Sequence, residues 1–357
     1  MLQLSLKVGF VLIIAYVSPM INAQICHEGK PVNEKSLPSE IYTIKFPEIS
    51  EDEIHELKNQ STRCHKTLKF AKVLQTNINP EDAGYWTKTT EGIKVWRVRL
   101  ISPNALSLNV TFGKFILNEG VSVFLYDPAK NYVIGALTNK NNNTNHLLAV
   151  SPIPGDELII EIQVNKNVNA YGKLELTSVG HDFLGVFNYM SKDGQFGRSG
   201  NCNLDVNCIN NPSIQLVKRA VCRIIYNNNE LCTGTLINNT TQDARPYLLT
   251  ANHCIPNQTT ASTAVFLFGY ESPVCNGPDG NSTWSISGSE LLATAKSIDF
   301  SLVNLSKEIP KHYFPYFAGW DHSDKDLSNT FSIHHPWGDV KKISLDNGTL
   351  VNDRYSS

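Results

Sequence analysis

His253 and Asp299 are the two side chains whose type and setting could do chemistry. His253 follows Tyr247-Leu248-Leu249-Thr250-Ala251-Asn252, a short apolar run that reads as a strand delivering an imidazole to its end. Cys254 comes at once after it, and Cys232 lies upstream in Cys232-Thr-Gly-Thr-Leu-Ile237. A disulfide between these two would brace the turn that carries the ring, and a general base needs such bracing to hold its geometry. Asp299 stands between Ile298 and Phe300, an apolar setting expected to bury its carboxylate. A buried carboxylate needs a partner, and the imidazole would supply one. In the order His then Asp, the pair fits the base and the orienting carboxylate of acyl-transfer chemistry.

His312, His322 and His334-His335-Pro336 raise the separate question of a metal. No His-Glu-X-X-His pattern or comparable ligand spacing accompanies them. The expectation is therefore no metal and no cofactor, with His334-His335 a structural strand end.

The elements that must position these residues read as strands. Leu106–Phe112 alternates apolar and polar without a break, and Lys94–Leu100, Val121–Tyr126, Leu158–Val164 and Lys173–Val179 are further strands, separated by Asn- and Gly-rich turns. Trp96 is expected in the core and Arg97 and Arg99 on a solvated strand face. One helix is expected from Asp52 to about Asn59. Later candidates are Ala220–Tyr226, Thr233–Ile237, Tyr247–Thr250, Ser262–Tyr270, Glu290–Ala295, Phe300–Leu305 and Phe331–His334, again short strands and turns. The fold class is all-β: a sandwich-like N-terminal unit followed by a second β unit.

Met1–Lys7, an apolar run from Val8 to Val17 and a small residue before Gln24 describe a secretory signal peptide, 1–23, cut after Ala23. The run is too short to favour a spanning helix. Eight cysteines fit an oxidising compartment. The expectation is a secreted protein without stable membrane insertion. A net charge of −2, with mixed signs throughout, points to neither nucleic acid nor an anionic lipid surface.

Ser199–Cys208, Cys232-Thr-Gly-Thr-Leu-Ile-Asn-Asn-Thr240, Leu249-Thr-Ala-Asn-His-Cys254, Ser297-Ile-Asp-Phe-Ser-Leu302, Ala318-Gly-Trp-Asp321 and Ile333-His-His-Pro336 together resemble the trypsin-like serine peptidases, and more narrowly the bacterial lysyl endopeptidases. The resemblance implies a double β-barrel over residues 199–357, with His253 as base and Asp299 as its carboxylate. It implies disulfides Cys232–Cys254 and Cys208–Cys275, and a partner for Cys202 near the domain's end. Cys222 is left either to pair with Cys202 or to stay a thiol. The resemblance further implies a propeptide domain, 24–180, and a linker, 181–198, cut after Arg198 or at Lys192-Asp193. Trp320 is expected in the barrel core. Polypeptides are the implied substrates, cleaved after Lys or Arg.

The family's nucleophile sits in a Gly-Asp-Ser-Gly type motif, and none occurs here. The expectation is a peptidase precursor whose second barrel is incomplete, lacking the nucleophilic Ser and therefore inactive as given. The alternative is a non-catalytic secreted homologue kept for binding.

Overall fold

The structure, a computed structural model, describes residues 21–22, 26–32, 40–62, 68–185, 199–200, 202–323 and 325–351. The first twelve strands are β1 (Ile21–Asn22), β2 (Thr43–Lys45), β3 (Leu68–Lys69), β4 (Ala71–Ile78), β5 (Tyr85–Lys88), β6 (Lys94–Ile101), β7 (Ser107–Leu117), β8 (Val121–Tyr126), β9 (Tyr132–Leu137), β10 (Leu148–Pro154), β11 (Glu157–Val164) and β12 (Gly172–Asp182). All but β3 and β5 fall into two paths, β1-β9-β8-β11-β6-β2 and β10-β7-β12-β4, with β5 added on β6. Inward residues of both sheets, Trp96, Val98, Leu108, Val110, Phe112, Ile160 and Ile162 among them, form one core. This is the packing that period-two alternation demands of a sandwich. The helix α1 spans Glu51–Thr62, with Glu51, Asp52 and Glu53 in its first turn, where the helix dipole favours negative charge.

The remaining strands are β13 (Leu204–Asp205), β14 (Val221–Tyr226), β15 (Glu230–Leu236), β16 (Tyr247–Thr250), β17 (Val265–Phe268), β18 (Ser285–Ser287), β19 (Ser289–Ala295), β20 (Phe300–Leu305), β21 (Ser328–His334) and β22 (Lys342–Thr349). Seven of them form the sheet β18-β17-β14-β15-β16-β20-β19, and β13-β22-β21 form another. The curled, strand-dominated architecture is all-β and consistent with a trypsin-like fold.

The central strands β14 and β17 are buried on both faces. Cys222, Ile224, Tyr226, Phe266 and Phe268 point into the core of their own curled sheet. The alternate residues Ile225, Val265 and Leu267 point the other way, onto Phe70, Ala71, Ala149 and Phe183 of the N-terminal half. Continuous apolar runs such as Val265-Phe-Leu-Phe268 are what a doubly buried strand requires. Polar contacts seal the same boundary: Asn109 Nδ2 donates to the Asn228 carbonyl at 3.1 Å, Ser287 Oγ to the Ala149 carbonyl at 2.6 Å and Asn145 Nδ2 to Ser262 Oγ at 2.8 Å.

Four local expectations fail for identifiable reasons. Residues 258–263 form a helix, α2 (Gln258–Thr263), where a strand was expected from Ser262. The Asn257 side chain caps it by accepting the Thr260 N–H at 2.9 Å, and the Ser262 and Thr263 hydroxyls donate back to carbonyls four residues earlier. Capping and side-chain bonding override the β-branched composition. Arg97 is buried opposite Glu161 on β11. Glu161 is also buried, and accepts from the Tyr126 hydroxyl at 2.7 Å. Trp320 is 58 % exposed; its ring lies by His322 and its Nε1–H donates to the Asn238 carbonyl at 3.1 Å. His181 and Asp182, placed in the linker, are the buried end of β12.

Candidate active site

The register of β16 on β20 builds the site. These strands run antiparallel with Thr250 opposite Ser301. His253, three residues past the end of β16, therefore meets Asp299, just before the start of β20. Asp299 adopts a left-handed conformation (φ 50°, ψ 48°) at the end of the 3-10 turn Lys296–Ile298. This bend turns its carboxylate back toward the β16 end. Ile298 is 70 % exposed, so the apolar setting expected around Asp299 is not a buried one. The carboxylate is instead half-buried by the His253 turn itself.

Both carboxylate oxygens are used. Oδ1 accepts the backbone N–H of His253 at 2.9 Å, and Oδ2 lies 2.6 Å from ring Nδ1. A carboxylate can only accept, so Nδ1 must carry the proton and donate it. In the neutral ring the other nitrogen, Nε2, then keeps its lone pair. Among the described residues no hydroxyl hydrogen-bonds to it. The two side chains retain 30 % and 23 % exposure, enough for the ring to meet a ligand.

Four further ties hold the His253 turn. Cys254 is disulfide-bonded to Cys232 of β15. Ser301 Oγ donates to the Ile255 carbonyl at 2.7 Å. Asn252 Nδ2 donates to Thr294 Oγ1 on β19 at 2.7 Å. Thr250 Oγ1 donates to the Thr233 carbonyl at 2.9 Å. Sequence reasoning missed Ser301, Asn252 and Thr294 as supports, because their roles depend on β19 and β20 lying beside the turn.

His253 lines a cavity of about 360 Å³ together with Cys232, Thr233, Cys254, His335, Trp337 and Leu68 of β3. His335 is buried; its backbone N–H donates to Thr233 Oγ1 at 3.1 Å, and its ring Nδ1 lies 2.9 Å from the Asp339 carbonyl. Burial first, and the Lys341 charge after it, hold its ring well below the usual imidazole pKa. Among the described residues the one cluster of potential metal ligands is Cys232, His253 and Cys254. Both sulfurs there are committed to the cystine, so this is no thiolate site. His312 lies against Tyr313 and Trp284, and His322 against Trp320, away from that cluster.

The second disulfide joins Cys208 and Cys275. Cys202 is exposed and Cys222 buried, with no bond between them; burial pushes the Cys222 thiol up to about 12. Ala23 and Arg198, the two expected cleavage positions, lie outside the described residues. A larger cavity, of about 640 Å³, is lined by Lys218, Glu271, Lys341, Trp284 and Tyr313. Neither His253 nor Asp299 is among its lining residues, and it is built on a buried ion group: Glu271 lies 2.6 Å from Lys218 Nζ and 3.0 Å from the fully buried Lys341 Nζ.

A curled all-β sheet that sets a histidine–aspartate pair at one strand end is consistent with the trypsin-like class of peptidases. Residues 196–357 match the family model described as lysyl endopeptidase, C-terminal domain. Lysyl endopeptidase of Pseudomonas aeruginosa is 26 % identical over 289 residues, which cover 76 % of this chain and 61 % of that protein. The chain is thus similar to lysyl endopeptidases over much of its length, and it spans under two thirds of the length of that relative.

Proposed function

We propose that this chain is the precursor of a secreted serine endopeptidase that cleaves polypeptides after Lys or Arg. The observation that carries the reading is the double grip of one carboxylate on His253, through its backbone N–H and its ring Nδ1. In that arrangement Asp299 fixes the tautomer. His253 Nε2 then takes the proton of an attacking serine hydroxyl and returns it to the leaving amine. The carboxylate stabilises the imidazolium formed between the two steps. The Cys232–Cys254 cystine keeps the ring on station.

No serine of this sequence lies in a Gly-Asp-Ser-Gly type motif. The nucleophile is accordingly not assigned within residues 1–357, and the chain as given is proposed to be inactive. Residues 1–23 are proposed as a signal peptide cut after Ala23. Residues 24–180 are proposed as a prosegment, parted from the peptidase unit by cleavage after Arg198. The apolar core shared by the two units implies that cutting the linker does not by itself separate them.

The 357-residue chain should leave lysyl and arginyl peptide substrates intact and form no adduct with a serine-directed phosphonate. Hydrolysis blocked by that reagent would contradict the proposed inactivity of the chain. Hydrolysis that survives His253→Ala would remove His253 from the chemistry.

A further inference from the structure

The cavity of about 640 Å³ that excludes His253 has an aromatic part and a cationic part. In the aromatic part Trp284 stacks on Tyr313, with 5.3 Å between ring centroids and 9° between planes, and the Phe314 ring lies 6.2 Å from Trp284. Gly269 makes room for the indole, because a Cβ there would sit 2.8 Å from the Trp284 ring. Phe314 is 59 % exposed and its backbone is left-handed (φ 51°), a conformation that costs an L side chain energy. In the cationic part, Lys218, Arg219 and Lys341 outnumber the carboxylates Glu271 and Asp279. Glu271 is engaged by Lys218 and Lys341. Asp279 accepts the Gly280 N–H at 2.7 Å and bonds the Tyr270 hydroxyl, and burial pushes its carboxyl up. Arg219 is the cation left over. Its Nε is buried with no hydrogen-bond partner, and no ion pair among the described residues includes it. A buried donor left unsatisfied is costly and is rare in folded chains.

We propose that this cavity is a binding site for a small organic anion with a flat apolar body, an aryl-substituted carboxylate, whose charge Arg219 takes and whose ring lies against Trp284 and Phe314. A guanidinium offers a planar fork of donors that matches a carboxylate, and an aromatic face favours a second flat ring. An inorganic anion satisfies only the first of these and a neutral aromatic only the second, so the two together set the ligand class. The cavity is within the size range of small-molecule sites, about 300–1,000 Å³. Its lining comes from four separate stretches, at Lys218-Arg219, residues 269–284, Tyr313-Phe314 and Lys341. A bound anion therefore ties together the Cys275-bearing connection from β17 to β18 and the approaches to β14 and β22. Nothing in this depends on His253 or on the peptidase reading.

The test is titration calorimetry of the full chain with 3-phenylpropanoate, its neutral amide 3-phenylpropanamide, and inorganic phosphate. The carboxylate should bind saturably, and the amide and phosphate each about ten-fold more weakly or worse, the loss of one charge-assisted or one aromatic contact. Arg219→Gln should bring the carboxylate down to the level of the amide. Phe314→Ser, at an exposed position, should weaken both organic probes and leave phosphate unchanged. The Trp284 indole N–H signal of the wild type, followed by NMR, reports the same site without any substitution. It should shift with 3-phenylpropanoate, so the outcome stays readable where Arg219→Gln does not fold. Absence of carboxylate binding at millimolar concentration overturns the proposal. So does equal binding of the amide or of phosphate, a folded Arg219→Gln that binds as the wild type does, or a Trp284 signal that stays in place. None of these readouts involves turnover, so failure here leaves the acid–base assignment standing, and loss of that assignment leaves these outcomes unchanged.

Discussion

Removing the cystine beside the imidazole gives a perturbation whose size can be worked out. Cys232 and Cys254 are 22 residues apart in sequence. Closing a loop of that length restricts the unfolded chain by about 3 kcal/mol on the chain-entropy model. Cys254 is buried, and trimming both sulfurs in Cys232→Ala/Cys254→Ala adds a cavity term of about 1 kcal/mol. The expected loss is therefore about 3–4 kcal/mol for the unit that contains β14–β20. The turn should remain seated, because Ser301, Asn252 and the His253 N–H still tie it down. Amide exchange at residues 251–255 should nevertheless quicken, as those ties are single hydrogen bonds worth about 1–2 kcal/mol each. The assay is urea unfolding followed by tryptophan fluorescence, with exchange measured by mass spectrometry in parallel. A loss under about 0.5 kcal/mol, with exchange at 251–255 unchanged, would refute the claim that the cystine braces the ring.

Other outcomes follow from buried charge and shared packing. His181 is buried against Ser102 Oγ at 2.7 Å, and burial, helped by Lys72, lowers its pKa to about 4 from 6.5. The unfolded chain therefore binds this proton first as pH falls. The stability contributed is complete above pH 6.5 and lost between 6.5 and about 4, roughly 3 kcal/mol in all; a pH series of unfolding midpoints, flattened by His181→Gln, checks it. For Glu271, burial pushes the carboxyl up, but the Lys341 and Lys218 ammoniums outweigh this and hold it below its ordinary value. Glu271→Gln strands two cations and should cost about 3–5 kcal/mol, whereas Lys341→Met leaves the Glu271–Lys218 pair and should cost about 1 kcal/mol or less; paired unfolding curves distinguish the two. Phe70→Ala opens the core between the two halves and should cost about 3–5 kcal/mol, with β4 and β14 losing exchange protection together.

Much of the site was legible because chain order mirrors space here. Antiparallel pairing of Tyr247–Thr250 with Ser301–Asn304 brings the residues just outside each strand together. A histidine after one apolar run and an aspartate before the next are then neighbours. The sandwich was legible for the same kind of reason, since alternation along Lys94–Ile101 and Ser107–Leu117 is local. What lay hidden was set by distant partners. Arg97 reads as solvated until Glu161 is found opposite it on β11. Trp320 reads as core because nothing local shows that its ring stays outside. Leu68, four residues after Cys64 in a polar stretch, gives no hint that it crosses to β15 and the His253 cavity. The helix at Gln258–Thr263 was the one local signal misread, where an Asn cap outweighs a threonine run.

The central claim is that one carboxylate holds His253 in the tautomer a general base requires. Two-dimensional ¹H–¹⁵N NMR of the imidazole in the 357-residue chain tests it directly. The account predicts a neutral ring protonated at Nδ1, with a far-downfield proton that disappears in Asp299→Ala. A ring protonated at Nε2, or an Nδ1 signal indifferent to the loss of Asp299, would contradict it.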